Sequence, residues 1–281
     1  MIERGRFGPK LTLKRAWSED VPELMKREGV QELQLSRIGA VDRDSLDFLA
    51  DVPWLKGFSL LDIAIEDIEG VHFLTELRYL HLSDYSRKRI DFGRFPFLEE
   101  CYMEFNKNRR SVSTCHGLTR LSLQHYSYRD LVPIAALGKL KELWISQGSL
   151  GDISGIAAFP KLTEITLGLL KNLSDIGPLS FLDDLQVLTI QGCKRVNEVD
   201  ALAKCRALRS LDITSCGEIE SLAPLVECET LEELRFFEDT KIKDGDIAVL
   251  LRMPNLKKAR FNNRRHYNMR WEDLPEHLKA P

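Results

Sequence analysis

The chain has no apolar run near the roughly 20 residues that a membrane span requires, although 43% of its residues are hydrophobic. It has no C-x-x-C pair, which removes the usual zinc framework despite six cysteines. It has no excess of one charge. Basic residues number 40 against 43 acidic ones, a net of −3, too weak a field to steer the molecule toward nucleic acid or an anionic membrane. The phosphate-cradling signatures G-x-x-x-x-G-K-[ST] and G-x-G-x-x-G are missing, as is H-E-x-x-H, and the six histidines are scattered. These absences predict no cofactor, no metal, no small-molecule substrate and no enzymatic activity. The opening residues Met1 to Arg6 are polar with no apolar signal segment behind them, so cytoplasmic residence is the expectation.

What the chain does have is repetition. A phrase of the form L-x-x-L-x-L, with conservative swaps, returns every 20 to 25 residues from Val30 to Phe261. It reads Val30-Leu33-Leu35, Leu55-Phe58-Leu60, Leu77-Leu80-Leu82, Leu98-Cys101-Met103, Leu118-Leu121-Leu123 and Leu140-Leu143-Ile145. It goes on through Leu162-Ile165-Leu167, Leu185-Leu188-Ile190, Leu208-Leu211-Ile213, Leu231-Leu234-Phe236 and Leu256-Ala259-Phe261. A fixed period of this length marks a solenoid, in which each coil packs only on its neighbours.

The phrase resembles that of the leucine-rich repeat family, L-x-x-L-x-L-x-x-N/C-x-L. The short return segments, such as Asp152 to Ile156 and Asp175 to Leu179, resemble the internalin-type class of bacterial repeats of about 22 residues. The resemblance implies an α/β leucine-rich repeat solenoid: a curved parallel sheet on the concave face, with short 3-10 or α segments on the convex face. Most members of the family are binding scaffolds with interchangeable partners.

Residues 1–29 read as an amino-terminal cap, 30–262 as about eleven repeats, and 263–281 as a carboxy-terminal cap or tail. In the first segment Lys10 to Lys14 alternates as a strand. Ser18 offers an N-cap to a helix that stops at Gly29. Asp42 to Asp51 and Asp244 to Arg252, in the longest repeats, have room for true α-helices. The family's asparagine slot holds asparagine only at Asn106, and elsewhere Tyr85, Tyr126, Gly148, Leu170, Cys193 and Cys216. Cys193 and Cys216, like Cys205 and Cys228, are one period apart and read as core thiols. Cys115, beside His116, is the one candidate for a reactive thiol.

Between the phrase residues, side chains point outward. Tyr79, His81, Tyr102 and Trp144 crowd the middle of that face, ringed by Glu100, Glu104, Glu142 and Glu164. Aromatic side chains with acidic neighbours suit a hot spot for a basic protein partner, and Trp144 is the leading residue. A second group, Arg260, Arg264 and Arg265 with Phe261, Tyr267 and Trp271, together with basic loops at 84–89 and 106–110, is the alternative nucleic-acid surface. A terminal cap explains it better. The resulting expectation is a scaffold that binds another protein on the concave face, in concrete form an immunity protein neutralising a basic toxin. The alternatives are nucleic-acid binding through the basic groups, or a bacterial effector that binds a host protein.

Overall fold

The computed structural model describes residues 1–14, 16–36, 45–63, 65, 67–84 and 86–279, with Asp62 and Ile63 described in backbone only. It is a leucine-rich repeat solenoid in two compact units, residues 1–123 and 124–281.

In the first unit, β1 (Ile2–Arg4) pairs antiparallel with β2 (Pro9–Leu13), and then parallel strands follow in chain order. They are β3 (Glu32–Ser36), β4 (Gly57–Ile63), β5 (Tyr79–Asp84), β6 (Glu100–Glu104) and β7 (Arg120–Gln124), which ends at the unit's boundary. In the second unit β8 (Glu142–Ser146), β9 (Glu164–Gly168), β10 (Val187–Gln191) and β11 (Ser210–Thr214) stack in the same way. After β11 the order passes to β13 (Glu233–Phe236) and β15 (Lys258–Phe261), while β12 (Glu218–Ile219) and β14 (Lys241–Ile242) form a separate pair. Registers join equivalent phrase residues, as Leu188 opposite Ile165 and Leu211. All the phrase residues are buried, from Val30, Leu33 and Leu35 through Leu256, Ala259 and Phe261.

The return segments correct one expectation. Asp47–Asp51 and Ala248–Arg252 are 3-10 helices, not α-helices. Residues 42–44 of the first of these stretches lie outside the described residues. The cause is a second period. Leu46, Leu49, Val52 and Leu55 are buried at intervals of three, as are Ile247, Leu250, Met253 and Leu256. Three residues per turn keep such a row on one side of a 3-10 helix, whereas an α-helix would rotate it off the core. Backbone bonds follow, with the Leu49 N–H donating to Leu46 O at 3.0 Å and the Leu250 N–H to Ile247 O at 3.1 Å.

Among the described residues the one α-helix is α1 (Asp20–Arg27). It ends as expected at Gly29, whose φ of +63° allows the Val30 N–H to reach back to Met25 O at 2.8 Å. Ser18 does not cap it. Its hydroxyl donates to Asp20 Oδ1 at 2.5 Å, and the capping position falls to Glu19. The strand β1 had no signal in the sequence.

Two devices replace the missing asparagine ladder in the second unit. First, the residue just before the asparagine slot is left-handed in six successive coils: His125, Gln147, Leu169, Gly192, Ser215 and Glu238, with φ between +54° and +66°. That conformation aims each N–H at the next coil. The acceptors are Ser146 O, Gly168 O, Gln191 O, Thr214 O and Phe237 O, and at the last step Asn262 Oδ1. Second, Cys193 Sγ donates to Leu167 O at 3.5 Å and Cys216 Sγ to Ile190 O at 3.2 Å. Each thiol thus satisfies a carbonyl of the coil before it. Tyr85, read into the slot of its own coil, lies outside the described residues.

Candidate functional site

The β1–β2 hairpin delivers the site's least expected member. Its tip closes with the Gly5 N–H donating to Gly8 O at 2.9 Å, and Gly8 has a φ of +142° that side chains disfavour. Beneath it, Glu32 is buried and accepts the Phe7 N–H at 2.8 Å. Two glycines make room for this carboxylate. A Cβ on Gly5 would stand 2.3 Å from Glu32 Oε1, and one on Gly57 2.7 Å from Glu32 Cγ. With the tip fixed this way, Arg6 reaches over the outward face of β5 and β6. Its guanidinium carbon lies 4.3 Å from the centre of the Tyr79 ring, and its Nη1 donates to Glu100 Oε2.

Around Arg6 the first unit gathers Tyr79, His81, Glu100 and Tyr102. The Tyr79 and Tyr102 rings are 5.8 Å apart and those of His81 and Tyr102 5.7 Å. The Tyr79 hydroxyl stands 3.5 Å from His81 Nδ1, and the Tyr102 hydroxyl donates to Glu100 Oε2 at 3.4 Å. Glu100 also accepts Arg120 Nη1 at 3.2 Å. Burial, and next the nearby Arg6 charge, hold the His81 pKa below its ordinary value. The three rings are therefore half-buried against each other and under Arg6, and Glu100 already serves two guanidinium groups. Stacking on adjacent strands brings this about, because parallel strands lie only about 4.8 Å apart. Glu104, further along β6, is half-buried and accepts Arg109 Nη1 through its backbone oxygen at 2.9 Å.

In the second unit Trp144 projects from β8 with 52% of its surface exposed. Glu142 faces Glu164 across the β8–β9 register, and Trp144 faces Thr166. Glu142 is half-buried and Glu164 exposed.

The basic groups divide. Arg109, read as part of a basic loop, is fully buried. Its Nη2 donates to Asp84 Oδ1 and Oδ2 at 2.6 and 2.9 Å. The loop's fold buries it because Asp84 supplies the matching charge. Arg264 is half-buried and gives its Nη2 to Glu238 O, whereas Arg260 lies exposed 5.0 Å from the centre of the Phe237 ring, and Arg265 is exposed. Tyr267 packs edge-on against Phe261 at 6.2 Å and accepts the Ile242 N–H at 2.9 Å.

The reactive-thiol expectation for Cys115 is overturned. It is 5% exposed and burial pushes its thiol up to about 12, so the nucleophilic thiolate is suppressed. Among the described residues no group of three or more His, Cys, Asp or Glu is placed to hold a metal ion. No described helix is long and apolar enough to cross a membrane.

No family model matches the sequence, and no curated relative matches it either. Solved structures do. An internalin (inlF) from Listeria monocytogenes matches with a TM-score of 0.69 and 21% identity, covering 91% of this chain and 73% of its own. Internalin C2 from the same species matches at 0.54 and 23%, covering 76% of this chain and 83% of its own. A complex of TLR13 with a single-stranded RNA matches at 0.60 and 20%, covering 84% of this chain and 35% of that one. At these identities the likeness shows the leucine-rich repeat fold and nothing further.

Proposed function

We propose that this protein is a non-catalytic scaffold that binds another protein on the outward, concave face of its sheet, without cofactor or small-molecule substrate. The observation that carries the reading is Trp144. A tryptophan held on a regular strand with half its surface in water contributes little to its own fold and supplies what interface hot spots are made of. The Tyr79, His81, Glu100 and Tyr102 cluster supports the same reading in the first unit, and Glu142 and Glu164 lie on the same face as Trp144 in the second. Glu104 belongs to this surface by strand register.

Nucleic acid is the weaker reading. Arg109 and Arg264 are engaged inside the fold, which leaves Arg260 and Arg265 exposed near the carboxy-terminal end and Arg87, Lys88, Arg89, Lys107 and Arg110 exposed in the two loops, in a chain whose net charge is −3. Nucleic-acid binding through them would fall steeply with salt.

The test is affinity capture from lysate, followed by titration of the purified captured protein. Trp144→Ala should weaken binding about 10-fold or more with no change in melting temperature. Equal affinity of wild type and variant would remove Trp144 from the interface. A captured toxin, inhibited by the complex, would make this chain an immunity protein. A captured host protein would make it an effector.

A further inference from the structure

Arg6 is a protein side chain already docked on the candidate surface, and its contacts define what the surface accepts. A guanidinium needs an aromatic face to stack on and a carboxylate to receive its fork of N–H donors. Tyr79 offers the face, 4.3 Å from the guanidinium carbon, within the roughly 6 Å reach of a cation–π contact. Glu100 offers the carboxylate, 13% exposed and so poorly hydrated. Tyr102 holds that carboxylate from β6, and His81 closes the far side of the ring cluster. Arg6 itself remains 45% exposed and comes from a hairpin tip 94 residues away in sequence from Glu100, so water and an incoming group can reach it. Beside it opens a cavity of about 430 Å³ lined by Arg4, Arg6, Lys10, Glu32, Ser59 and Tyr79, which gives room for the residues flanking an inserted side chain.

We propose that Tyr79, His81, Glu100 and Tyr102 form an arginine receptor for a protein partner, and that Arg6 occupies it in the free protein as an internal competitor. This rests on the protein-binding reading above. A partner arginine takes over the stacking on Tyr79 and the pairing with Glu100, and Arg6 moves into solvent. Lysine is a poor substitute, since a compact ammonium neither stacks as a plane nor forks onto a carboxylate. An internal competitor lowers the apparent affinity by the fraction of molecules in which it has left the receptor. Its removal therefore strengthens binding without adding any contact.

The experiment uses N-acetyl-arginine methylamide as the probe and its lysine counterpart as the control. Both are titrated into the full chain while the aromatic and His81 proton resonances are followed by NMR, with His81 assigned from His81→Gln. In Arg6→Ala the arginine probe should shift the Tyr79, His81 and Tyr102 resonances and bind about 10-fold more tightly than to wild type. The lysine probe should bind more weakly than the arginine probe. Adding Glu100→Gln to Arg6→Ala should abolish the gain, and Arg6→Lys should behave as a weaker competitor than Arg6. Removing Arg6 should also raise the His81 pKa, and a saturating arginine probe should lower it again. Equal binding to wild type and Arg6→Ala, equal binding of both probes, or no effect of Glu100→Gln would overturn the proposal. The two readings fail separately. A silent probe with partner capture still dependent on Trp144 sinks the arginine receptor alone. Probe binding with no protein partner of the chain sinks the scaffold reading.

Discussion

Arg109 and Asp84 form an ion pair with no solvent on either side chain, Nη2 lying 2.6 Å from Oδ1 and 2.9 Å from Oδ2. Arg109 also donates to Glu104 O and Ser86 O, so one guanidinium ties together the ends of two successive strands. A buried pair of this kind costs desolvation on both sides, and removing one partner leaves the other charged in the core. Arg109→Met should therefore destabilise the protein by about 3–5 kcal/mol, and Asp84→Asn in that background should restore part of the loss. Urea denaturation of the two single variants and the double variant checks this. Additive losses would mean that the pair is not coupled.

Leu143 and Trp144 are sequence neighbours with opposite environments, 2% and 52% exposed. Strand alternation alone produces the contrast. Leu143→Ala should cost about 2–5 kcal/mol as a buried leucine, and Trp144→Ala should stay within about 0.5 kcal/mol as a surface change. A large loss from Trp144→Ala would show that the indole packs within the fold and would remove the main support for a partner on this face.

The row of left-handed residues makes a prediction that runs against intuition. Leu169 is 50% exposed at a φ of +54°, so its side chain adds strain with little burial in return. Leu169→Gly should raise stability slightly, by up to about 1 kcal/mol, the gain reduced by glycine's greater freedom in the unfolded chain. Gly192, in the equivalent place with a φ of +66°, should lose about 1–2 kcal/mol on change to alanine. Thermal melts of both variants give the signs. If Leu169→Gly destabilises, the exposed leucine has a packing role.

The strands were legible because every coil must bury the same phrase residues, and that demand writes a period of 20 to 25 into the sequence. The 3-10 returns were half legible. The short middle returns leave no room for a long helix, whereas the length of the longer ones also admits an α-helix. The left-handed row left no trace, since glycine, its usual signature, stands at only one of six positions. At the candidate site the outward aromatics followed from register. Arg6 did not, because its partner Glu100 is 94 residues away and a hairpin tip has no period to betray it. Arg109 read as a solvated charge because its burial depends on Asp84, 25 residues earlier.

The cysteines connect the fold to alkaline pH. Burial pushes the Cys193 thiol up to about 11 and those of Cys115, Cys205 and Cys216 up to about 12, from an ordinary value of 9.0. Above pH 9 the unfolded chain sheds these protons and the folded chain keeps them, so the folded state binds more protons and stability falls with rising pH. The contribution is whole below about pH 9 and is lost as pH climbs toward 12. Replacing Cys193 and Cys216 together with alanine should flatten part of this slope while lowering stability at pH 7, because the carbonyls of Leu167 and Ile190 lose their thiol donors. Urea titrations at pH 7, 9 and 10 for wild type and the double variant read both effects. At pH 8 a thiol reagent should leave the native protein unmodified and label all six cysteines once it is unfolded. Rapid labelling of Cys115 in the native state would mean that its environment opens on the timescale of the reaction, and an unchanged alkaline slope in the double variant would place the pH dependence on other groups.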